Sequence, residues 1–291
     1  MSAPPALLVH GGAGTVAPER HARVRAGVRA AAEVGHAVLA AGGSALDAVV
    51  AAVRVLEDDP EYNAGTGAAL TRDGLVQTDA AVMDGATQRV GAVGAVPDLG
   101  CAVQLARAVL DAGEHAMLVG PMAWHFAAEH GIRPVLDGSL VTDRARARLQ
   151  AVLARPGAQD GGTVGAVARD ARGHLAAATS TGGIAGKRSG RVGDSPIAGA
   201  GTWADGAAAV SATGDGEAIL RVALAHAIAV RVSLGATPAA AADASLADLA
   251  RVTGGTAGVI VLTTTDRAIV HLSAHLPCAW ISGADRGDQI A

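Results

Sequence analysis

Gly161-Gly162-Thr163 sets a threonine where a glycine-rich segment gives way to a strand-like run, Thr163 to Arg169. A threonine hydroxyl is a poor nucleophile until a base takes its proton. A chain-terminal amine, with a pKa of roughly 7.7–8, suits neutral pH far better than a lysine near about 10.4. Cleavage before Thr163 would therefore create a nucleophile and its own base in one residue. By itself the segment reads better as a plain turn that opens a strand, since the chain holds many threonines.

The stretch Thr179 to Asp205 gathers Thr, Arg and Asp in a glycine-rich run unsuited to a helix, of the kind that lets backbone approach a ligand closely. Arg191 offers a planar fork for a carboxylate and Asp194 a charge for an ammonium, so together they could clamp the α-centre of a free amino acid. The same two residues could instead simply pair with each other on the surface. In Ser211 to Glu217 a strand meets a helix, and backbone N–H groups there can receive an oxyanion. Thr213, through its hydroxyl, and Gly214, through its N–H, are the donors, although the same residues would serve as an ordinary helix N-cap. Gly182 to Arg188 half resembles a phosphate loop, but Thr181 and Arg188 stand where glycine and serine or threonine belong. His10, beside Gly11-Gly12-Ala13-Gly14, reads as a structural histidine closing a strand, because no G-x-S-x-G elbow exists for it to serve.

The elements that must position these residues are built from small side chains. Of 291 residues half are apolar, 39 are glycine, and only three Trp, one Tyr and one Phe are aromatic, which suits closely packed layers. A net charge of −4 with scattered arginines excludes a polyanion-binding face, so nucleic acid is no partner. Cys101 and Cys278 lack metal-ligand spacing and read as free thiols of a reduced compartment. With no signal-like or membrane-spanning run, a soluble cytoplasmic protein is expected.

Ala6 to His10 reads as a buried strand, Pro18 to Leu39 as a helix, and Ala45 to Glu57 as a second helix capped by Ser44 and ended by Pro60. Strands are predicted over Ala68 to Thr71, Leu75 to Met83 and Val90 to Val96, then helices over Cys101 to Ala112 and Ala123 to His130. Pro134 to Asp160 is Arg-rich and without apolar periodicity, and reads as an exposed, mobile linker reaching Gly162. Strands Thr163 to Arg169 and His174 to Ser180 follow, then helices Glu217 to Val232 and 238–252, and strands Thr256 to Thr263 and Ala268 to Leu272. Strands and helices come in blocks, which favours packed sheets sandwiched by helices over a doubly wound fold.

Taken together, GTVGAV at 162–167, TSTGG at 179–183, GRVGDSPIAGAG at 190–201 and TGDGE at 213–217 resemble the plant-type L-asparaginase and isoaspartyl peptidase family. The likeness continues colinearly through HGGAG at 10–14, residues 42–71 and DAAVMDG at 79–85, and so covers most of the chain. It implies an α+β Ntn-hydrolase fold, an αββα sandwich of a single domain. It further implies a precursor that cuts itself at Gly162-Thr163 into fragments 1–162 and 163–291, which stay together as a dimer of two-fragment units.

By the same resemblance Thr163 is nucleophile and base, and Thr181 polarises or orients its hydroxyl. Arg191 holds the substrate α-carboxylate, and Asp194 and the Gly216 carbonyl hold the α-amine. Thr213 and Gly214 form the oxyanion hole, supported by Asn63 through water. The implied reaction releases aspartate from L-asparagine or from β-aspartyl dipeptides, with no catalytic cofactor. A structural sodium ion on the carbonyls of Leu56, Glu57, Asp59, Tyr62, Ala64 and Thr66 is implied as well. The related glycosylasparaginases, which cleave glycosylated asparagine, usually carry Asp where this chain has Gly162 and are often exported. A non-catalytic amino-acid-binding protein would keep the clamp without cleavage. Residues 271–283 depart from the family pattern and put the pocket rim in doubt, and the linker is short for the family.

Overall fold

The computed structural model describes residues 3–155 and 162–290. Strand β1 (Ala6–His10) is buried along its whole length and leads through a short 3-10 turn into α1 (His21–Ala40). Helix α2 (Ala45–Asp58) starts where the Ser44 hydroxyl accepts the Asp47 N–H, and stops two residues before Pro60. Next come β2 (Gln77–Asp84), β3 (Arg89–Pro97), α3 (Ala102–Ala112), β4 (Met117–Val119), α4 (Ala123–Glu129) and α5 (Asp143–Ala154). The second half holds β5 (Val164–Arg169), β6 (Leu175–Thr181), β7 (Thr202–Ala204), β8 (Ala208–Gly214), α6 (Gly216–Val222), α7 (Leu224–Ser233) and α8 (Pro238–Thr253). It ends with β9 (Ala257–Thr263), β10 (Arg267–His271), β11 (Cys278–Ser282) and β12 (Asp285–Gln289).

The strands form an eight-stranded sheet in the order β12-β11-β1-β5-β6-β2-β3-β4 and a four-stranded sheet in the order β10-β9-β8-β7. One face of the large sheet packs on α1, α2 and α3 through side chains such as Val164, Ala166, Ala168, Val49 and Leu105. Its other face meets the small sheet through Leu8, Val167, Leu175, Ile260 and Leu262, and the far side of the small sheet is covered by α6, α7 and α8. These are the four layers of an αββα sandwich. The small residues of β5 and β6 let the layers approach closely.

Three expectations need correction. Residues 134–162 are not wholly a linker: α5 lies inside them, capped by the Thr142 hydroxyl on the Ala145 N–H and buried through Ala145 and Leu149 alone. Two buried positions four apart are too sparse a periodicity to read. Residues 156–161 of that linker lie outside the described residues. The single helix expected over Glu217 to Val232 is two, parted at Ala223, whose φ of 47° is left-handed. The break frees the Ala225 and His226 N–H groups to donate to the carbonyls of Ala200 and Gly199, anchoring the glycine-rich loop. Residues 68–71 make no strand, only isolated bridges from Leu70 to Val76 and from Thr71 to Lys187. The short strands β4 and β7 and the closing pair β11 and β12 gave no readable alternation. Among the described residues no helix is long and apolar enough to cross a membrane.

Helix α3 sits on β3 at Gly91, where a Cβ would collide with the Ala106 carbonyl and the Leu110 N–H. Gly91→Ala is therefore expected to destabilise the fold by about 1–3 kcal/mol through overpacking. The readout is a lower urea midpoint at unchanged transition slope.

Candidate active site

Strand alternation decides which side chains can meet. Along β5, Val164, Ala166 and Ala168 face the helices, so Thr163, Gly165 and Val167 face the second sheet. The same alternation turns His10 of β1, Thr179 and Thr181 of β6, and Ser211 and Thr213 of β8 into the layer between the sheets. All of these side chains are buried, with Thr163 6 % exposed. The layer is apolar at one end and polar at the other. The polar end lies where β1 and β6 finish and β5 begins.

There the chain is continuous from Gly162 to Thr163, and the Gly162 carbonyl accepts two hydrogen bonds. One comes from Asn63 Nδ2 at 2.7 Å and the other from Thr181 Oγ1 at 2.8 Å. Asn63 is itself fixed: Nδ2 also donates to the Gly183 carbonyl, and Oδ1 accepts the Ala69 N–H. Thr181 Oγ1 accepts the Gly183 N–H, which aims its proton at Gly162. Asn63, expected to act through water on a hole elsewhere, thus binds the carbonyl before Thr163 directly. The glycine loop after His10 passes over this point, with a Cβ at Gly12 falling 3.1 Å from the Thr163 nitrogen. Tyr62 wedges the loop in place by filling the space beside Gly11 and Gly27 and donating its hydroxyl to the Val24 carbonyl at 2.6 Å. A cleft of about 730 Å³ opens here, reaching Gly12, Asn63, Gly162, Gly214 and Thr256.

Arg191 and Asp194 do not pair with each other. Arg191 instead lays its Nε and Nη2 edge on Glu217, at 2.9 and 2.7 Å. Asp194 is 4 % exposed, and its Oδ2 has no hydrogen-bond partner. Burial pushes its carboxyl up to about 7. An orphaned, desolvated carboxylate is one that a cationic ligand would relieve. Gly216 lies between the two: a Cβ there would come 2.7 Å from Asp194 Oδ1 and 2.9 Å from Arg191 Nη2. Only a residue without a side chain keeps that space open.

Three charged residues behind the clamp escaped the sequence reading. Glu217 was visible only as part of TGDGE. Asp79, wholly buried, accepts the Ala95 N–H at 2.7 Å and faces the Gly193 N–H. Lys187, also buried, donates to the Gln77 carbonyl at 2.7 Å, and desolvation lowers its pKa against the pull of Asp79. It is the only lysine in a chain otherwise supplied with arginine, a signal that could have singled it out.

The third segment does cap a helix, though through a different residue. Asp215, not Thr213, caps α6 by accepting the Ala218 N–H. Thr213 Oγ1 accepts the Ala13 N–H at 3.0 Å, which leaves its hydroxyl proton to be donated elsewhere. Gly214 borders the cleft, and a Cβ on it would press into the Thr256 carbonyl.

No cluster of three or more His, Cys, Asp or Glu suited to a metal occurs among the described residues. The loop after α2 is a different matter, because hard cations accept carbonyl oxygens. Leu56 would be bonded in the helix by the N–H of residue 60, which is proline and has none. Gly65 and Gly67, at φ 48° and 90°, turn the loop back until a Cβ on Gly67 would meet the Pro60 and Tyr62 carbonyls at 2.7 and 2.8 Å. Carbonyls crowding a glycine at the negative end of a helix fit a sodium ion, though the Glu57 and Asp59 carbonyls already accept the Thr66 and Tyr62 N–H groups.

Residues 3–288 match the Asparaginase family model. The chain is 43 % identical to the isoaspartyl peptidase/L-asparaginase of Bos taurus, over 98 % of this chain and 97 % of that protein. With the Homo sapiens protein of the same name the identity is 45 %, over 90 % and 87 %. With the isoaspartyl peptidase of Salmonella typhimurium it is 41 %, over 88 % of each.

Two outcomes follow from the clamp. Gly216→Ala should fold normally yet weaken L-aspartate binding at least tenfold in calorimetry, because the methyl fills the space between Arg191 and Asp194. Asp194 carries a folded pKa above its unfolded one, so the native state holds the extra proton and this group's contribution to stability is lost as pH rises from about 4 to about 7. Ligand-free Asp194→Asn should therefore gain on the wild type across that window in urea denaturation. A constant difference would mean that Asp194 is not desolvated.

Proposed function

The chain belongs to the asparaginase family, and we propose that it cuts itself between Gly162 and Thr163 and then hydrolyses L-asparagine and β-aspartyl dipeptides with Thr163 as nucleophile. The observation that carries this reading is the grip of Asn63 and Thr181 on the Gly162 carbonyl. Donors placed on a carbonyl oxygen stabilise the oxyanion formed when a nucleophile adds to its carbon, and the hydroxyl of the next residue is that nucleophile. Attack by Thr163 Oγ1 breaks the peptide C–N bond and moves the acyl group to oxygen. The hydroxyl proton goes to the departing nitrogen. Water then hydrolyses the ester, leaving a carboxylate on Gly162 and a free amine on Thr163.

That amine is the base for the second reaction. The substrate α-ammonium sits on Asp194 and the Gly216 carbonyl, relieving the buried carboxylate. Its α-carboxylate takes the edge of Arg191 that Glu217 leaves unused. The side-chain carbonyl oxygen is received by the Thr213 hydroxyl and the Gly214 N–H. Thr163 attacks, and ammonia or an amino acid leaves with the proton that the amine carried. Water then releases aspartate. Sodium, bound by the carbonyls after α2, would supply only rigidity to the loop that carries Asn63. Two-fragment units associated as a dimer complete the proposal.

Thr163→Ala should remain one chain on a denaturing gel and lack activity, while the wild type runs as two fragments. Asn63→Ala should slow self-cleavage about 10²–10³-fold, as loss of an oxyanion donor does. Ammonia release from L-asparagine, compared with amino-acid release from a β-aspartyl dipeptide and with turnover of glycosylated asparagine, tests the substrate class. Turnover of the glycosylated compound alone would contradict it.

A further inference from the structure

Between the two sheets, beside Thr163, runs a line of polar side chains that the reaction above does not use. His10 Nε2 lies 2.8 Å from Ser211 Oγ, and Ser211 Oγ lies 2.8 Å from Thr179 Oγ1, which reaches the Gly201 carbonyl at 3.3 Å. The Gly201 N–H in turn donates to the Asp194 carbonyl at 3.0 Å. At the other end the His10 ring faces the Thr163 backbone, although its Nδ1 makes no close hydrogen bond. All three side chains are completely buried. Room for them is cut from β5: Gly165, two residues past Thr163 on the same face, has no side chain where His10 Nε2 and Ser211 Oγ sit.

Burial holds the imidazole neutral, its pKa pushed down to about 3, so it is no base for the reaction. The apolar end of the same layer is built of residues such as Leu8, Val167, Leu175, Ile260 and Cys278, and apolar residues would fill the space here too without the cost of burying polar atoms. What apolar packing does not provide is direction. A hydrogen-bonded line fixes how far one sheet is shifted over the other, and this one runs from His10, whose ring packs against the Thr163 backbone, to the carbonyl of Asp194.

We propose that His10, Ser211 and Thr179 are positioning residues that set Thr163 relative to the Asp194 clamp, so that the bound amide carbonyl arrives at the Thr163 hydroxyl in reacting geometry. The proposal rests on the amidohydrolase reading. It places a constraint on kcat rather than on binding, since the clamp itself is made by other residues.

The test uses the full-length, self-processed protein with Ser211→Ala and the nearly isosteric Thr179→Val, which carries the test should the first variant fail to fold. Kinetics on L-asparagine, counted per processed molecule, should show kcat about tenfold lower in each variant. KM and the inhibition constant of L-aspartate should stay within about twofold of wild type. The double variant should be little worse than the slower single, because one line is broken in either case. A lower melting temperature with kcat unchanged would reduce the line to packing and overturn the proposal, as would a loss confined to KM. A wild type that processes itself but hydrolyses neither L-asparagine nor β-aspartyl dipeptides would instead overturn the activity on which the proposal rests.

Discussion

Two hydrogen bonds on a single carbonyl, from Asn63 and Thr181 to Gly162, are the contact on which the rest of the molecule converges. Asn63 comes from the loop after α2, Thr181 from the last residue of β6, and Gly162 from the residues before β5. The three meet only because α2 packs on the large sheet and because β5 and β6 pair in the register that sets Val164 opposite Ser180. The carboxylate of Glu57 ties these parts from below. It accepts the Ser180 hydroxyl at 2.6 Å and the Val103 N–H at 2.9 Å, so the end of α2, the start of α3 and β6 are joined under the site. Burial pushes this carboxyl up to about 7, and the two donors oppose the shift.

The clamp obeys the opposite logic. The Gly162 carbonyl is fully bonded, whereas Asp194 Oδ2 is left without a hydrogen-bond partner inside the protein, in surroundings that disfavour its charged form. Arg191 has its guanidinium aimed by Glu217, and Asp79 and Lys187 complete a set of charges of both signs behind it. Desolvated charges of this kind contribute little to stability and much to orientation. Glycines at 12, 165 and 216 complete the arrangement by absence: each removes a side chain where backbone, a polar line or a ligand has to pass.

Much of this was legible in the sequence. Residue type offered Thr163, Arg191, Asp194, Thr213 and Gly214 as candidates and left a plain structural reading open for each, and the resemblance placed the chain in one family and one fold. The contacts were not legible, because they join residues from 19 to 201 positions apart on different elements, beyond any local pattern. The bond from Asn63 to the Gly162 carbonyl was not foreseen. Arg191 and Asp194 looked able to pair with each other, whereas Glu217 takes one edge of the guanidinium. Helix α5 shows only two buried positions, and the left-handed break at Ala223 has no glycine to announce it. His10 was read as a structural histidine of its strand. It is that, but its partner Ser211 lies on the other sheet, where local patterning gives no sign of it.

Under the proposed function, Thr163 acts only once the bond to Gly162 is broken. Acid-quenching the enzyme during steady turnover of L-asparagine, followed by peptide mapping, tests it most directly. The expected product is a peptide that begins at Thr163 and carries an aspartyl ester on that hydroxyl. Fully active enzyme whose peptide still spans Gly162 and Thr163 unbroken would contradict it.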